Sequence, residues 1–515
     1  MASRIRKGHA MTRSKKLILN TATSLLYQIV GIVCGFILPR ILLETYGSAV
    51  NGAVSSITQF LGFITLCECG VGAVVQSALY KPLAENDTSE YSRIYRSSER
   101  FFRKIAWILV IYAAALMGVY PIIVLGEFDY FFTFFLVFVI SISSFAQYYF
   151  GMTYRLFLSA DQLGFIQLSL QSVLQIVNTV LSIVMMRSGA SIHAVKLMTS
   201  LLFTLQPIVY TVAARKFYRI DRGIALTEEP LKQKWNGLAQ HVASVVLGNA
   251  DTVILTLFST LENVSVYGIY HLVVNGVKQI VVSLTSGIQA LLGNMLAKKE
   301  EKALLSAFSA FEWGMHTVVT IAFTVTGLLI LPFVRVYTAG ITDADYVVPT
   351  FAVLITLAQA AYCLRLPYNV MVLAAGHYKE TQMSAIIEAV INVVLSILFV
   401  ARFGLVGVAV GTLAAMAYRT VYLAWYLKKQ ILHRPISFFL MHLAVDVVIA
   451  GFSVGAVLLF PSLYTLGAIT YGAWIVLAVK VGVTALLTSL LVNLLVYRKD
   501  CAAFARLVLT RLRRK

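Results

Sequence analysis

Apolar runs of about twenty residues or more recur along this chain, separated by short polar gaps, from Leu17 almost to the C-terminus. A helix needs roughly twenty apolar residues to cross the hydrocarbon core of a bilayer. By that measure the pattern predicts fourteen spans: 17–39, 48–78, 105–126, 130–154, 162–186, 195–214, 236–258, 264–296, 306–334, 346–374, 380–401, 404–427, 438–460 and 466–497. In lipid the backbone must satisfy its own hydrogen bonds, and these runs are far too long for barrel strands. The expected fold class is therefore an all-α polytopic membrane protein of about 14 transmembrane helices.

Charge adds direction. Lys and Arg crowd every second gap: Arg4, Arg6, Lys7, Arg13, Lys15 and Lys16 in the first, then Lys81, Arg93, Arg96, Arg100, Arg103 and Lys104 after the second span. The alternate gaps hold Arg40, Arg187, Arg335 and Arg402, while Lys196, Lys278, Arg365, Arg419 and Lys480 fall within spans. Basic loops stay on the cytoplasmic side, so both termini are expected in the cytoplasm. The chain is 59% hydrophobic and 13% charged with a net charge of +19. With the basic residues flanking apolar spans, anionic inner-leaflet lipid is the natural counter-charge and nucleic acid is not an expected partner.

Two inner segments mix apolar and basic positions, 87–104 and 500–515. Both are read as amphipathic helices on the inner membrane surface. Residues 1–10 form an extension ahead of Met11, which has its own basic flank. The five cysteines lack metal-ligand or disulfide-framework spacing. There is no phosphate loop, HExxH or G-x-S-x-G motif, and no gap long enough for a soluble catalytic domain, so an enzyme is not expected.

The chain also echoes itself. A shift of 216 residues lays Gly52 on Gly268 and the apolar stretch 53–80 on 269–296, each preceded by a Leu-Glu pair, Leu43-Glu44 and Leu261-Glu262. The offset is six spans, an even number, so the halves share an orientation. The predicted organisation is a basic cytoplasmic N-terminus (1–16), an N-lobe of spans one to six (17–214), a cytoplasmic linker (215–235), a C-lobe of spans seven to twelve (236–427), an appended pair (438–497) and a basic tail (498–515). Transporters built from such repeats bind cargo between them and work by rocking.

Several ordered motifs carry a resemblance. Leu38-Pro39-Arg40-Ile41-Leu42-Leu43-Glu44-Thr45-Tyr46-Gly47 is followed by Asn51-Gly52 and by Glu68-Cys69-Gly70-Val71-Gly72. Gly248-Asn249-Ala250-Asp251, Val266-Tyr267-Gly268, Arg365-Leu366-Pro367-Tyr368-Asn369, Gly376-His377-Tyr378, Glu388, Asn392, Gly404-Leu405-Val406-Gly407, Gly411-Thr412 and Arg419 continue the series. Across spans one to twelve this set resembles the bacterial polysaccharide-biosynthesis (oligosaccharide) flippases of the MATE-like exporter superfamily. The resemblance implies a two-lobe transporter moving a polyprenyl-diphosphate-linked oligosaccharide from the inner to the outer leaflet. It also implies coupling to a proton or sodium gradient, and glycan polymerase or glycosyltransferases as candidate partners. A cation-coupled multidrug antiporter and a wall-precursor or sporulation-related lipid flippase, all of the same superfamily, stay open as alternatives.

Ionisable groups inside spans are costly and mark functional interiors. Arg365, Lys278 and Arg419 are the candidate cavity cations. The Arg365 guanidinium suits bidentate binding of a diphosphate, and Pro367 should kink its helix. Asp251 with Asn249, Glu388 and Glu68 are the candidate ion-coupling residues. Glu388 and Asn392, four apart, share a helix face. Asp446 lies in the appended pair. His271, His316, His241 and His442 fall in or near spans without metal-ligand spacing.

Overall fold

A computed structural model describes residues 13–68, 70–221, 223–224, 238–285 and 287–498. The first ten residues, most of the basic tail and much of the 215–235 linker lie outside them. Every regular element among the described residues is helical. Among the described residues, thirteen helical stretches are long and apolar enough to cross a membrane. The first, Ile18–Glu68, has 51 residues, more than twice the roughly twenty that one crossing needs. It is two spans joined, which brings the crossings to the fourteen expected. This is a multi-pass membrane protein.

That join differs from the gap at 40–47, around Leu43-Glu44, expected between the first two spans. Helix α1 (Arg13–Gly62) runs on through those residues and breaks only at Gly47, with φ 83° and ψ 176°. The helix accommodates Pro39 in its interior, and Arg40 pairs with Glu44 one turn on at 2.8 Å. A glycine adopts the positive φ at no steric cost, so a single residue replaces a loop.

A 3-10 turn, Phe63–Glu68, leads to α2 (Val71–Glu85) and α3 (Thr88–Ile123). The surface helix expected at 87–104 is the first half of α3, continuous with the third span. Asp87 caps it by accepting from the Glu90 amide at 3.0 Å, and the sequence offers no glycine or proline until Gly118. The segment is amphipathic as expected, but its apolar face is covered by protein. Tyr91, Ile94 and Tyr95 are buried against Val75 and Leu79 of α2 and against Phe157.

Next come α4 (Tyr130–Ala146), a π turn (Gln147–Gly151) and α5 (Met152–Ala160). They are followed by α6 (Gly164–Arg187), α7 (Ile192–Phe217), α8 (Leu238–Phe258) and α9 (Leu261–Ser283). The later elements are α10 (Ile288–Ala297), α11 (Glu301–Tyr337), α12 (Pro349–Leu364) and α13 (Leu366–Ala374). The last are α14 (Tyr378–Phe403), α15 (Leu405–Gln430), α16 (Ser437–Leu459) and α17 (Tyr471–Val496).

Contacts divide the chain into two compact units, Met1–Ser265 and Val266–Lys515. In the first, α1 packs along α6 and α8, and α4 against α3 and α7. In the second, α14 and α15 form a hairpin turned at Gly404, α12 packs on α15, and α16 and α17 pack on α11. The appended pair is thus integral to the second unit. Large apolar side chains stand exposed on the outward helix faces, such as Leu201, Val212, Leu458 and Leu495. In a bilayer these faces meet acyl chains, which accounts for patches no soluble monomer would carry.

In the connection between α3 and α4, Glu127 accepts from the Leu261 amide at the start of α9, at 3.1 Å. Burial, followed by the nearby Glu262 charge, pushes the Glu127 carboxyl above its ordinary range, against the opposing pull of that amide. The folded protein therefore holds this proton more tightly than the unfolded chain. Its contribution to stability is full at low pH and lost as pH rises through the raised value. Glu127→Gln should flatten that part of the profile of unfolding temperature against pH in detergent. Superimposable profiles would show that Glu127 does not contribute.

Candidate functional site

In the second unit two of the three sequence-predicted cations share one aromatic ring. Arg365 falls at the junction of α12 and α13, where Pro367 interrupts the span as expected. Its guanidinium carbon lies 4.2 Å from the Tyr362 ring centroid, and the Lys278 ammonium of α9 lies 4.9 Å from the same centroid. Each gains a cation–π contact. Arg365 also pairs with Glu388 of α14, so a candidate anion site and a candidate coupling acid form one ion pair. Arg419 of α15 is buried and donates to the Thr381 carbonyl at 3.5 Å. Asn392, one turn beyond Glu388, donates to Thr412 at 3.1 Å. The set holds three cations against one carboxylate.

The first unit has a cavity of about 360 Å³ with a mixed polar and apolar lining. Its lining includes Thr58, Thr65, Glu68, Gln147, Tyr148 and Arg155. Glu68 accepts from the Tyr148 hydroxyl. Tyr148, within the π turn Gln147–Gly151, and Arg155, in the helix that follows it, line the same space. Such single-turn widenings are frequent at functional sites. Asp251 is buried in α8. Asn249 donates to the Val245 carbonyl at 2.7 Å. Its Oδ1 sits where a Cβ on Gly62 would come within 2.6 Å, so a glycine at 62 is what lets α1 approach the amide. Asp251, Asn249 and Glu68 thus belong to the first unit, and Arg365, Lys278, Arg419 and Glu388 to the second.

A solved structure of the lipid II flippase MurJ, in an inward closed conformation, superposes with a TM-score of 0.71 over 94% of this chain and 99% of that one. The fold is that of MurJ and of MATE transporters. An inward-facing multidrug resistance MATE family transporter of the MOP superfamily matches with a TM-score of 0.55 over 80% of this chain and 99% of that one. A mutant of the Vibrio cholerae MATE transporter VcmN matches with a TM-score of 0.54 over 83% and 100%. Sequence identities are 14%, 13% and 14% respectively. No protein-family model matches the chain, and no curated protein matches it. The match to MurJ takes in nearly the whole chain, and those to the two MATE transporters about four fifths of it.

Several polar groups of these sites are not evident from sequence. Arg155 reads as an inner-loop residue, yet it lies in α5, because the fourth helix continues past its apolar run. Glu312 stands six residues inside the ninth apolar run and reads as its edge, yet it is wholly buried. It pairs with Arg434 and accepts from the Tyr368 hydroxyl at 2.7 Å. The signal that finds it is a spacing of four: Glu312, His316 and Thr320 lie on one face of α11.

Proposed function

We propose that this protein is a flippase that moves a polyprenyl-diphosphate-linked oligosaccharide from the inner to the outer leaflet of the plasma membrane by alternating access. The observation that carries the reading is that Arg365 and Lys278 share the Tyr362 ring, that Arg365 pairs with Glu388, and that Arg419 is buried in α15, which packs on α12 and α14. Three cations against one acid inside membrane-spanning helices suit an anionic headgroup, and a planar guanidinium suits its diphosphate. Likeness in fold to a lipid II flippase supports a lipid-linked cargo, and the motif series in spans one to twelve supports a glycan-export role. The two six-span lobes, with both termini in the cytoplasm, are part of the proposal.

The Arg365–Glu388 pair suggests how cargo and cation would be linked. A diphosphate that takes Arg365 leaves Glu388 without its partner. A buried carboxylate left unpaired takes up a proton rather than remain charged. Cargo binding would then load Glu388 with a proton, with Asp251, Asn249 and Glu68 as the coupling groups of the first unit. Each ligand shifts the inward–outward balance through its different affinity for the two states.

The test is reconstitution in liposomes that carry a polyprenyl-diphosphate oligosaccharide in both leaflets, with a membrane-impermeant glycosidase outside. Active protein should expose the inner-leaflet pool to digestion. Protection of half the pool, together with efflux of a cationic dye, would instead establish the multidrug antiporter.

A further inference from the structure

Four buried side chains of the second unit stand in a line. Asp446 Oδ2 lies 2.6 Å from His316 Nδ1, His316 Nε2 lies 3.1 Å from the Tyr368 hydroxyl, and that hydroxyl lies 2.7 Å from Glu312 Oε1. They come from α16, α11, α13 and again α11. All four are buried, Glu312 completely.

Three such contacts require three hydrogens, one in each. Tyr368 brings one and a neutral imidazole brings one, while ionised carboxylates bring none. The line is therefore one hydrogen short unless it holds an additional proton, on His316 or on either carboxyl. The charges give the same count. Glu312 and Asp446 carry two negative charges, and Arg434, bonded to Glu312 Oε2, carries one positive. One bound proton brings the buried cluster to neutrality.

The surrounding groups are satisfied without it. Thr320 donates to Asp446 Oδ1 at 2.7 Å. His442 has the Tyr497 hydroxyl at 2.7 Å from Nδ1, and its Nε2 faces Glu312 Oε2 at 3.6 Å, an arrangement that a neutral ring fulfils. Among the described residues, the charged and titratable groups facing His316 from the packed elements are Glu312, Tyr368, Asp446, His442, Arg434 and Tyr497. Direct hydrogen-bond contacts along the line leave no gap for a metal ion, and no group of ligands among the described residues is arranged to hold one.

We propose that the line from Asp446 through His316 and Tyr368 to Glu312 is a proton-binding site, and that its proton fastens α13 to α11 and α16. The assignment goes beyond the cargo and holds whatever the protein transports. Removal of the proton sets two acceptors face to face and leaves a buried negative charge unbalanced, so one link opens. Tyr368 stands one helical turn after Arg365, and an opened link loosens the segment that follows that arginine. A shift of the three hydrogens along the line moves the protonic charge between Asp446 and Glu312 without breaking a contact.

The test uses the full chain, ¹⁵N-labelled at histidine and embedded in lipid bilayers at about pH 8, where an ordinary imidazole is neutral. Solid-state NMR should show an imidazolium that vanishes in His316→Gln. If the proton rests on a carboxyl instead, infrared spectra should show a protonated-carboxyl band that vanishes in Asp446→Asn or Glu312→Gln. Finding neither signal overturns the site. Asp446→Asn is the informative variant: its amide supplies the missing hydrogen to His316 while its oxygen still accepts from Thr320, so it should fold and need no extra proton. Hydrogen–deuterium exchange of residues 366–374 should rise with pH faster than the intrinsic chemical rate in the wild type, and only at the intrinsic rate in Asp446→Asn. Equal profiles in the two proteins would overturn the fastening role.

Discussion

Arg365→Ala should abolish export of the lipid-linked glycan, and Arg365→Ala/Glu388→Ala should not restore it. The single substitution does two things. It removes the guanidinium proposed to hold the diphosphate, and it strands Glu388, whose side chain is 3% exposed. Truncating one partner of a buried charge pair costs about 2–5 kcal/mol, which is roughly 30-fold or more in affinity. Part of that cost is the abandoned carboxylate rather than the lost contact, so the double variant separates the two. With both charges gone the helices should repack, and protein yield and unfolding temperature should recover. If transport recovered with them, Arg365 would be a packing residue. Arg365→Lys keeps the charge but not the planar fork and should fall between wild type and alanine. The readout is glycosidase-accessible cargo in proteoliposomes, normalised to protein.

The second large effect concerns folding. Glu312→Ala should destabilise the second unit by about 3–5 kcal/mol, the usual result of removing one partner from a buried ion pair. Arg434 would lose its carboxylate and the Tyr368 hydroxyl its acceptor. Glu85→Ala provides the comparison. Glu85 is exposed and stands 4.0 Å from an exposed Lys81, a geometry worth about 0–1 kcal/mol. Unfolding in detergent, followed by a thiol-reactive dye, measures both: buried Cys363 reports the second unit for Glu312, and buried Cys34 the first unit for Glu85. Equal shifts for the two variants would mean that the Glu312 pair adds nothing beyond a surface contact.

The fold was largely legible in the sequence because membrane physics acts on composition directly. Twenty consecutive apolar residues in lipid must be a helix. Misreadings arose where local rules meet tertiary packing. The segment 87–104 has the pattern of a helix lying on lipid, but the aromatic face of Tyr91 and Tyr95 is met by Phe157, and periodicity cannot tell which apolar surface will cover a face. Gly47 looked like part of a loop, because one glycine in a polar gap does not announce that the gap is a single broken helix.

The sites were legible residue by residue and not as sets. Arg365, Lys278 and Glu388 are conspicuous as charges within apolar runs. That the first two share Tyr362 and the third pairs with Arg365 depends on three helices meeting, which spacing along one chain does not encode. Glu312 and Arg155 lay near the ends of apolar runs, where a charge is unremarkable. Burial distinguishes Glu312 from a solvated flank, and only the cavity that Arg155 lines distinguishes that exposed arginine.

The break at Gly47 has a practical corollary for anyone mapping which side of the membrane each segment faces. A tag or protease site placed between the first two spans would have to be threaded into continuous helix, since a lone glycine is all that separates the arms. Insertions are better directed to residues 342–345, between α11 and α12 and ahead of buried Tyr346, where extra residues need not unwind a turn.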